Sequence, residues 1–228
     1  MRNSSGAANL RVGANNYCLP ERLAGKLGRL FTGGDVLDVG CGVGAYGKYF
    51  RSHAPSVRWT GVDGSENIEE ATDAHVHFVD LASGLPYAYQ RLFDWKMSIE
   101  VAEHLSRVME PMFMHSVAAN VRSGVVISWA VPGQVGGHHV NLRTTNYKIC
   151  VFKQLGFDFD LNMTRELRSS IVLHTRNDEV HGCSWLVKTL LTFRRTASGL
   201  PTLQPPRYLT AEFIAAYQNV TRTHCAHK

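Results

Sequence analysis

No apolar run in this chain reaches the roughly 18 to 20 residues that a helix needs to cross a bilayer. The opening stretch, "MRNSSGAANLRVGANN", lacks the apolar centre of a secretory signal, so residues 1–18 read as a flexible N-terminal arm. No C-x-x-C is present, and the five cysteines, Cys18, Cys41, Cys150, Cys183 and Cys225, are scattered and odd in number. The expectation is reduced thiols in a cytoplasmic protein. On that expectation the Asn-x-Ser/Thr triplets at Asn3, Asn162 and Asn219 carry no meaning. Dense runs of Lys and Arg are also missing. "RELR" and "FRR" are short, and a net charge of +5 tolerates an anionic partner without demanding one. No internal repeat is visible.

What is present is a chain of 228 residues, 44 % of them apolar, which suits one globular domain with a full core and a small addition. "LPERLAGKLGRLF" carries Leu19, Leu23, Leu27 and Leu30 at helical spacing, and Gly33-Gly34 ends it. Short apolar strands follow in "DVLDVG", "VRWTGVD", "VHFVD", "FDWKMSIE" and "GVVISWAV". Helical stretches separate them: about Gly44 to His53, "SENIEEA" with Ser65 as its cap, about Pro111 to Arg122, and "TNYKICVFKQLGF" ending at Gly156. "WLVKTLLTF" reads as a late strand. Alternation of this kind predicts an α/β fold, a mostly parallel sheet covered on both faces. Residues 196–228 read as a Pro- and Gly-rich linker and a short helix capped by Thr210. Trp129 and Trp185 read as core, and Met109, Met112 and Met114 as helix packing.

The stretch "LDVGCGVGAYGKYF" contains two overlapping glycine patterns. Gly42, Gly44 and Gly47 match the G-x-G-x-x-G of dinucleotide loops. Asp38, Gly40, Gly42 and Gly44 give D-x-G-x-G-x-G instead. A carboxylate beside a pyrophosphate would repel it, whereas S-adenosylmethionine (SAM) brings a sulfonium and an ammonium and no phosphate. Asp38 therefore favours SAM over a nicotinamide dinucleotide, and Gly47 becomes a packing glycine inside the helix. Asp63 in "GVDGS" is placed to accept from the ribose hydroxyls, and Asp80 in "HFVDL" from the adenine amino group. With Glu100, four carboxylates are expected at the carboxyl ends of strands, where ligands of such sheets bind.

"VLDVGCGVGAYGKYF", "GVDGS", "HFVDL" and "SIEVAEHL" resemble, in order and spacing, the successive motifs of class I SAM-dependent methyltransferases, over residues 35–193. The resemblance implies a Rossmann-like seven-stranded, mostly parallel sheet with helices on both faces and an antiparallel last strand. "FDFDLNM" and "SWLVKTLLTF" would form the closing hairpin. The methyltransferase domain would span residues 19–195. Cofactor contacts are implied at Asp38, Gly40, Cys41, Gly42, Gly44, Asp63, Gly64, Asp80, Leu81 and Glu100.

Glu100, Glu103 and His104 fall together after the fourth strand, and His138 and His139 follow in "GQVGGHHVN". This set is similar to the metal site of Hen1-type RNA 2′-O-methyltransferases, in which two Glu and two His hold a divalent ion. The "EVAEHL" pattern also occurs in metal-free methyltransferases of small molecules, and the glycine-rich context of His138 and His139 departs from the Hen1 pattern. The expectation is no metal, with His104 and His139 as candidate bases and Glu100 or Glu103 orienting one of them. "PGQVGG" is expected to close over a substrate. Cys41 is read as small rather than nucleophilic, because cytosine C5 chemistry would need a Pro-Cys that is missing. A small-molecule acceptor leads. An RNA acceptor and a non-catalytic SAM-binding module remain open.

Overall fold

The structure, a computed structural model, describes residues 19–171, 174–176, 179–181, 183–196 and 203–226. The expected arm over residues 1–18 lies outside them. Among the described residues nine strands form, β1 (Asp35–Val39), β2 (Arg58–Asp63), β3 (Val76–Phe78), β4 (Phe93–Ser98), β5 (Val121–Ser128), β6 (Phe157–Phe159), β7 (His174–Arg176), β8 (Glu179–His181) and β9 (Leu190–Arg195). Seven of them build one sheet in the order β3-β2-β1-β4-β5-β9-β6, and β7 pairs with β8 apart from it. β1 to β5 pair in parallel, and β9 runs antiparallel to both β5 and β6. The α/β class, the strand number and the single reversed strand are those expected from sequence.

The helices are α1 (Glu21–Leu30), α2 (Ala45–His53), α3 (Ile68–Ala71), α4 (Glu110–Ala118), α5 (Thr145–Gln154), α6 (Leu161–Arg168), α7 (Leu186–Thr189) and α8 (Ala211–Val220). The period of two along each strand divides their cores. In β5, Val125 and Ile127 join a core with α4, α5 and α8, while Val126 joins the opposite one with α1 and α2. That is why "GVVIS" has no polar alternation: both faces are covered. Among the described residues no helix is long and apolar enough to cross a membrane.

Several local expectations are corrected. α3 begins after Asn67, and Ser65 is spent on Asp63 instead of capping: its N–H and hydroxyl both donate to Asp63 Oδ1, at 3.0 and 2.8 Å. "FDFDLNM" leaves the strand at Asp160, whose side chain accepts from Met163 N and caps α6. "SWLVKTLLTF" starts as α7, and the strand begins only at Leu190. The hairpin is therefore an antiparallel pair with α6, β7, β8 and α7 between its strands. Trp129 is fully buried as expected, but Trp185 is 40 % exposed because it precedes α7 on the surface side.

The cysteine expectation fails. Cys150 on α5 and Cys225 beyond α8 form a disulfide across a sequence separation of 75, and Cys183 is also disulfide-bonded. Cys41 is the free thiol among the described residues. Spacing could not reveal the pair, because it depends on α8 returning across α4 to reach α5.

That return is held by one buried carboxylate. Glu110, at the start of α4, is 2 % exposed. Its Oε2 accepts from Asn141 Nδ2 at 3.0 Å and from Arg143 Nε and Nη2 at 2.9 and 2.6 Å. Its Oε1 accepts from the hydroxyls of Tyr147 on α5 and Tyr217 on α8. The segment before α8 is fastened too: Leu203 N donates to Gln154 O, and His115 Nε2 lies 2.9 Å from Pro206 O. Thr210 caps α8 by accepting from Phe213 N, as its sequence position suggested.

Two stability outcomes follow. Replacing Cys225 by Ala removes a cross-link typically worth about 2 to 4 kcal/mol, which for a chain of this size lowers Tm by about 5 to 15 °C; reduction, which also opens the Cys183 bond, lowers it at least as far. Calorimetry with and without reductant checks it, and Cys41→Ala is the control that leaves Tm in place. Glu110→Gln leaves the Arg143 charge without its partner and costs about 3 kcal/mol. Tyr217→Phe loses one hydrogen bond and costs about 1 kcal/mol. Urea unfolding of the two variants measures the difference.

Candidate active site

The site lies where the carboxyl ends of β1, β2 and β4 meet the loop after β5. The turn leaving β1 is built from residues with unusual backbone. Gly40, Gly42 and Gly44 have φ of +78°, +56° and +71°. At Gly40 a Cβ would also meet Val101 Cγ2 at 2.6 Å, so neither the conformation nor the space admits a side chain. The amides of Gly40 and Cys41 both donate to Val62 O, at 2.8 and 3.1 Å, which ties the loop to β2. Gly47 packs rather than binds, as expected: a Cβ there would stand 2.4 Å from the Trp59 ring. The indole occupies the slot and donates from Nε1 to Asp38 Oδ2 at 3.2 Å.

Asp38 is buried at 2 % exposure with that single donor. Burial pushes its carboxyl up to about 7, the Trp59 bond pulls the other way, and the Asp63 charge adds to the rise. Burial also raises the Tyr46 phenol, and the charges of Asp38 and Glu100 raise it further. Cys41 is raised by burial and then by Asp38 and Asp63. Three of the four expected acids therefore share one field. Asp80, half-buried after β3, accepts from Ala82 N at 3.0 Å on Oδ1 and from Ser83 Oγ at 3.2 Å on Oδ2.

Asp63 already accepts three hydrogen bonds, two from Ser65 on Oδ1 and one from Gly42 N at 2.8 Å on Oδ2. One lone pair of Oδ2 is left to accept from a ligand hydroxyl. Gly64 follows it in a buried position, and Leu81 turns its side chain into the core.

Glu100 stands at φ +58°, a left-handed conformation costly for a residue with a side chain. Ser128 Oγ accepts from its N–H at 2.7 Å, and Thr189 Oγ1 donates to its Oε1 at 3.3 Å. Glu103 is fully buried, and neither carboxylate oxygen has an N–H or O–H donor. Burial and then the neighbouring Glu100 push its carboxyl up to about 8. Lys148, buried on α5, donates from Nζ to Trp129 O at 2.7 Å and feels the charge of Glu103. Two carboxyl groups this close require a shared proton or a cation between them.

The loop after β5 returns to this spot. Val140 N and Asn141 N both donate to Glu103 O, at 2.8 and 3.1 Å, and Asn141 continues to Glu110. The rings of His104 and His139 come to 5.1 Å between centroids. One ligand atom each from Glu103, His104 and His139 lies within 4.8 Å of the others, a span that one divalent ion can bridge. The orphaned oxygens of Glu103 and the two imidazoles fit such an ion, although sequence favoured a metal-free site. His138, at φ +63°, is exposed and lies outside that cluster. His139 Nδ1 lies 3.4 Å from Gln134 O. As a carbonyl only accepts, this contact assigns the proton of the neutral ring to Nδ1, the tautomer that leaves Nε2 as the basic nitrogen. At the loop's tip Val135 is 98 % exposed.

Sequence reasoning missed Tyr46, Glu110, Ser128, Lys148 and Thr189. Thr189 reaches Glu100 across a sequence separation of 89, and no local pattern marks it. The orphaned Tyr46 hydroxyl lies within the quoted glycine stretch, between Gly44 and Gly47, where an aromatic residue reads as core.

No family model matches the sequence, and no curated protein matches it. Solved structures do share its fold. A magnesium protoporphyrin IX methyltransferase from Synechocystis with bound S-adenosylhomocysteine superposes with a TM-score of 0.52 at 14 % identity, over 78 % of this chain and 84 % of that one. A TehB-like SAM-dependent methyltransferase from Corynebacterium glutamicum gives 0.52 at 15 %, over 80 % and 89 %. SAM-bound CalS10, an amino pentose methyltransferase from Micromonospora echinaspora, gives 0.50 at 16 %, over 78 % and 88 %. The chain has the class I methyltransferase fold.

The raised acid gives a pH dependence. An unfolded aspartate titrates near 3.9, and Asp38 in the fold near 7. Its contribution to stability is fully present below the unfolded value and is lost as pH rises through the folded one. Asp38→Asn is therefore expected to raise the melting temperature of the ligand-free protein at pH 8 and to leave it little changed at pH 4. Thermal scans across that range check the sign.

Proposed function

We propose that the chain is a SAM-dependent methyltransferase that transfers a methyl group to an oxygen or nitrogen of a small molecule. The observation that supports it most is the shared field of Asp38, Asp63 and Glu100 around the glycine turn. A phosphate-bearing dinucleotide is repelled there, and a sulfonium with an ammonium neutralises the cost of those acids. The solved structures named above act on a porphyrin and an amino pentose, which agrees with a small acceptor.

In this reading SAM supplies the methyl group on a sulfonium that is already a good leaving group. The protein's task is to align the acceptor with the methyl and sulfur. Asp63 Oδ2 would hold a ribose hydroxyl, and the glycine turn, whose amides are spent on Val62, Asp63 and Cys41, would let the methionine portion approach the backbone closely. The acceptor's bond to the methyl carbon forms as the carbon–sulfur bond breaks. A hydroxyl acceptor passes its proton to His139 Nε2, and the loop with Val135 at its tip closes over the acceptor.

A second reading is favoured by the convergence of Glu103, His104 and His139. Those three would hold a divalent ion, which lowers the pKa of a bound hydroxyl such as an RNA terminal 2′-OH. A non-catalytic SAM-binding module is the third.

Calorimetric titration with SAM and NAD, followed by methyl-transfer assays on small acceptors and short RNAs with EDTA and then Mn²⁺, separates these readings. SAM is expected to bind and NAD to give no heat, with Asp63→Ala weakening SAM about tenfold by loss of one hydrogen bond to a charged group. Turnover of small acceptors that survives EDTA supports the first reading. RNA methylation that EDTA abolishes and Mn²⁺ restores installs the second. Binding without transfer to any acceptor leaves the third.

A further inference from the structure

We propose that Asn162 and Asn219 are N-glycan acceptor sites, and that the chain matures in an oxidising, glycosylating compartment. Two independent observations lead there. The first is redox. Cys150 is joined to Cys225, and Cys183 is disulfide-bonded as well. Each such bond forms when two thiols pass two electrons and two protons to a disulfide-bearing oxidant, and it persists where thiols are not kept reduced. The Cys150–Cys225 bond secures α8, whose Tyr217 completes the Glu110 site, so oxidation belongs to the finished fold.

The second is the placement of the triplets. Asn162-Met163-Thr164 opens α6 with Asn162 exposed, while Thr164 and Leu167 form the buried side of that helix. Asn219-Val220-Thr221 ends α8 with Asn219 exposed, opposite Phe213, Tyr217 and Val220. Neither helix carries a residue of the candidate active site, so a bulky sugar at either position leaves the crevice open. Asn3 lies outside the described residues.

The donor is an oligosaccharide linked to a lipid pyrophosphate. A bond forms between Asn Nδ2 and the anomeric carbon, and the carbon–oxygen bond to the pyrophosphate breaks. The lipid pyrophosphate leaves with the electron pair, and the amide gives up a proton to the transferring enzyme's base. At Asn162 the order of events is constrained. Thr164 is 1 % exposed, and its Oγ1 accepts from Thr192 N on β9 at 2.9 Å. Transfer there precedes the docking of β9 on α6, because afterwards the hydroxyl of the triplet is enclosed.

The test makes the full chain in one eukaryotic host by two routes, behind a cleavable secretory leader and without one. Peptide mapping by mass spectrometry, with and without peptide-N-glycosidase, is expected to find glycans at Asn162 and Asn219 in the secretory form, each lost in Asn162→Gln or Asn219→Gln. That form is expected to titrate with Cys41 as its free thiol. The leaderless form is expected to titrate with added thiols at Cys150, Cys225, Cys183 and the cysteine bonded to Cys183, and to melt about 5 to 15 °C lower. A secretory form unmodified at both asparagines overturns the acceptor assignment. A leaderless form with those thiols free and an equal melting temperature overturns the assignment of compartment.

Discussion

A single carboxylate, Glu110, closes the half of the molecule that carries the second-half site residues. It is buried at the first turn of α4 and gathers Asn141, Arg143, Tyr147 and Tyr217, from the loop after β5, α5 and α8. A carboxylate in that position is tolerable only with its lone pairs occupied and its charge balanced, and Arg143 does the second. Because Asn141 and Arg143 are held there, the chain just before them is held as well. Val140 and Asn141 bond back to Glu103, and His139 is left facing His104. The geometry of the candidate base thus depends on a buried residue outside the Glu103, His104 and His139 cluster.

The opposite half is organised by clustered negative charge. Asp38, Asp63 and Glu100 share one field, and Glu103 stands beside Glu100 without a donor on either oxygen, offset in part by the charge of Lys148. Such a cluster opposes folding as the acids ionise, and the fold offsets it with the cores on the two faces of the sheet. A cationic ligand relieves the same repulsion, so the groups that weaken the ligand-free protein are those that would reward binding. The left-handed Glu100 belongs to this pattern, strained in itself and fixed by Ser128 and Thr189.

The disulfides alter how the surface is read. With Cys150 joined to Cys225, the C-terminal helix becomes a strap across α4 and α5, tied at Tyr217 and again at its end. The cysteine count alone suggested free thiols, since an odd number with no short spacing looks unpaired. Pairing is a matter of which helices lie side by side, and that information is not local.

Much of the architecture was determined by sequence alone. Alternating apolar runs and helical spacings specify an α/β sheet covered on both faces, because strand period and helix period are local properties of the chain. The glycine turn and the acids at the carboxyl ends of β1, β2 and β4 are legible for the same reason: Gly40 needs a backbone that only glycine takes easily, and that need is written at one position. Tertiary structure decided the rest. Whether Trp185 is covered, whether Asp63 has one lone pair or more to offer, which of His138 and His139 meets His104, and that Glu110, Lys148 and Thr189 belong near the site all depend on contacts between segments far apart in the chain. Such contacts are set by how helices pack across a finished sheet, and no window of sequence contains both partners.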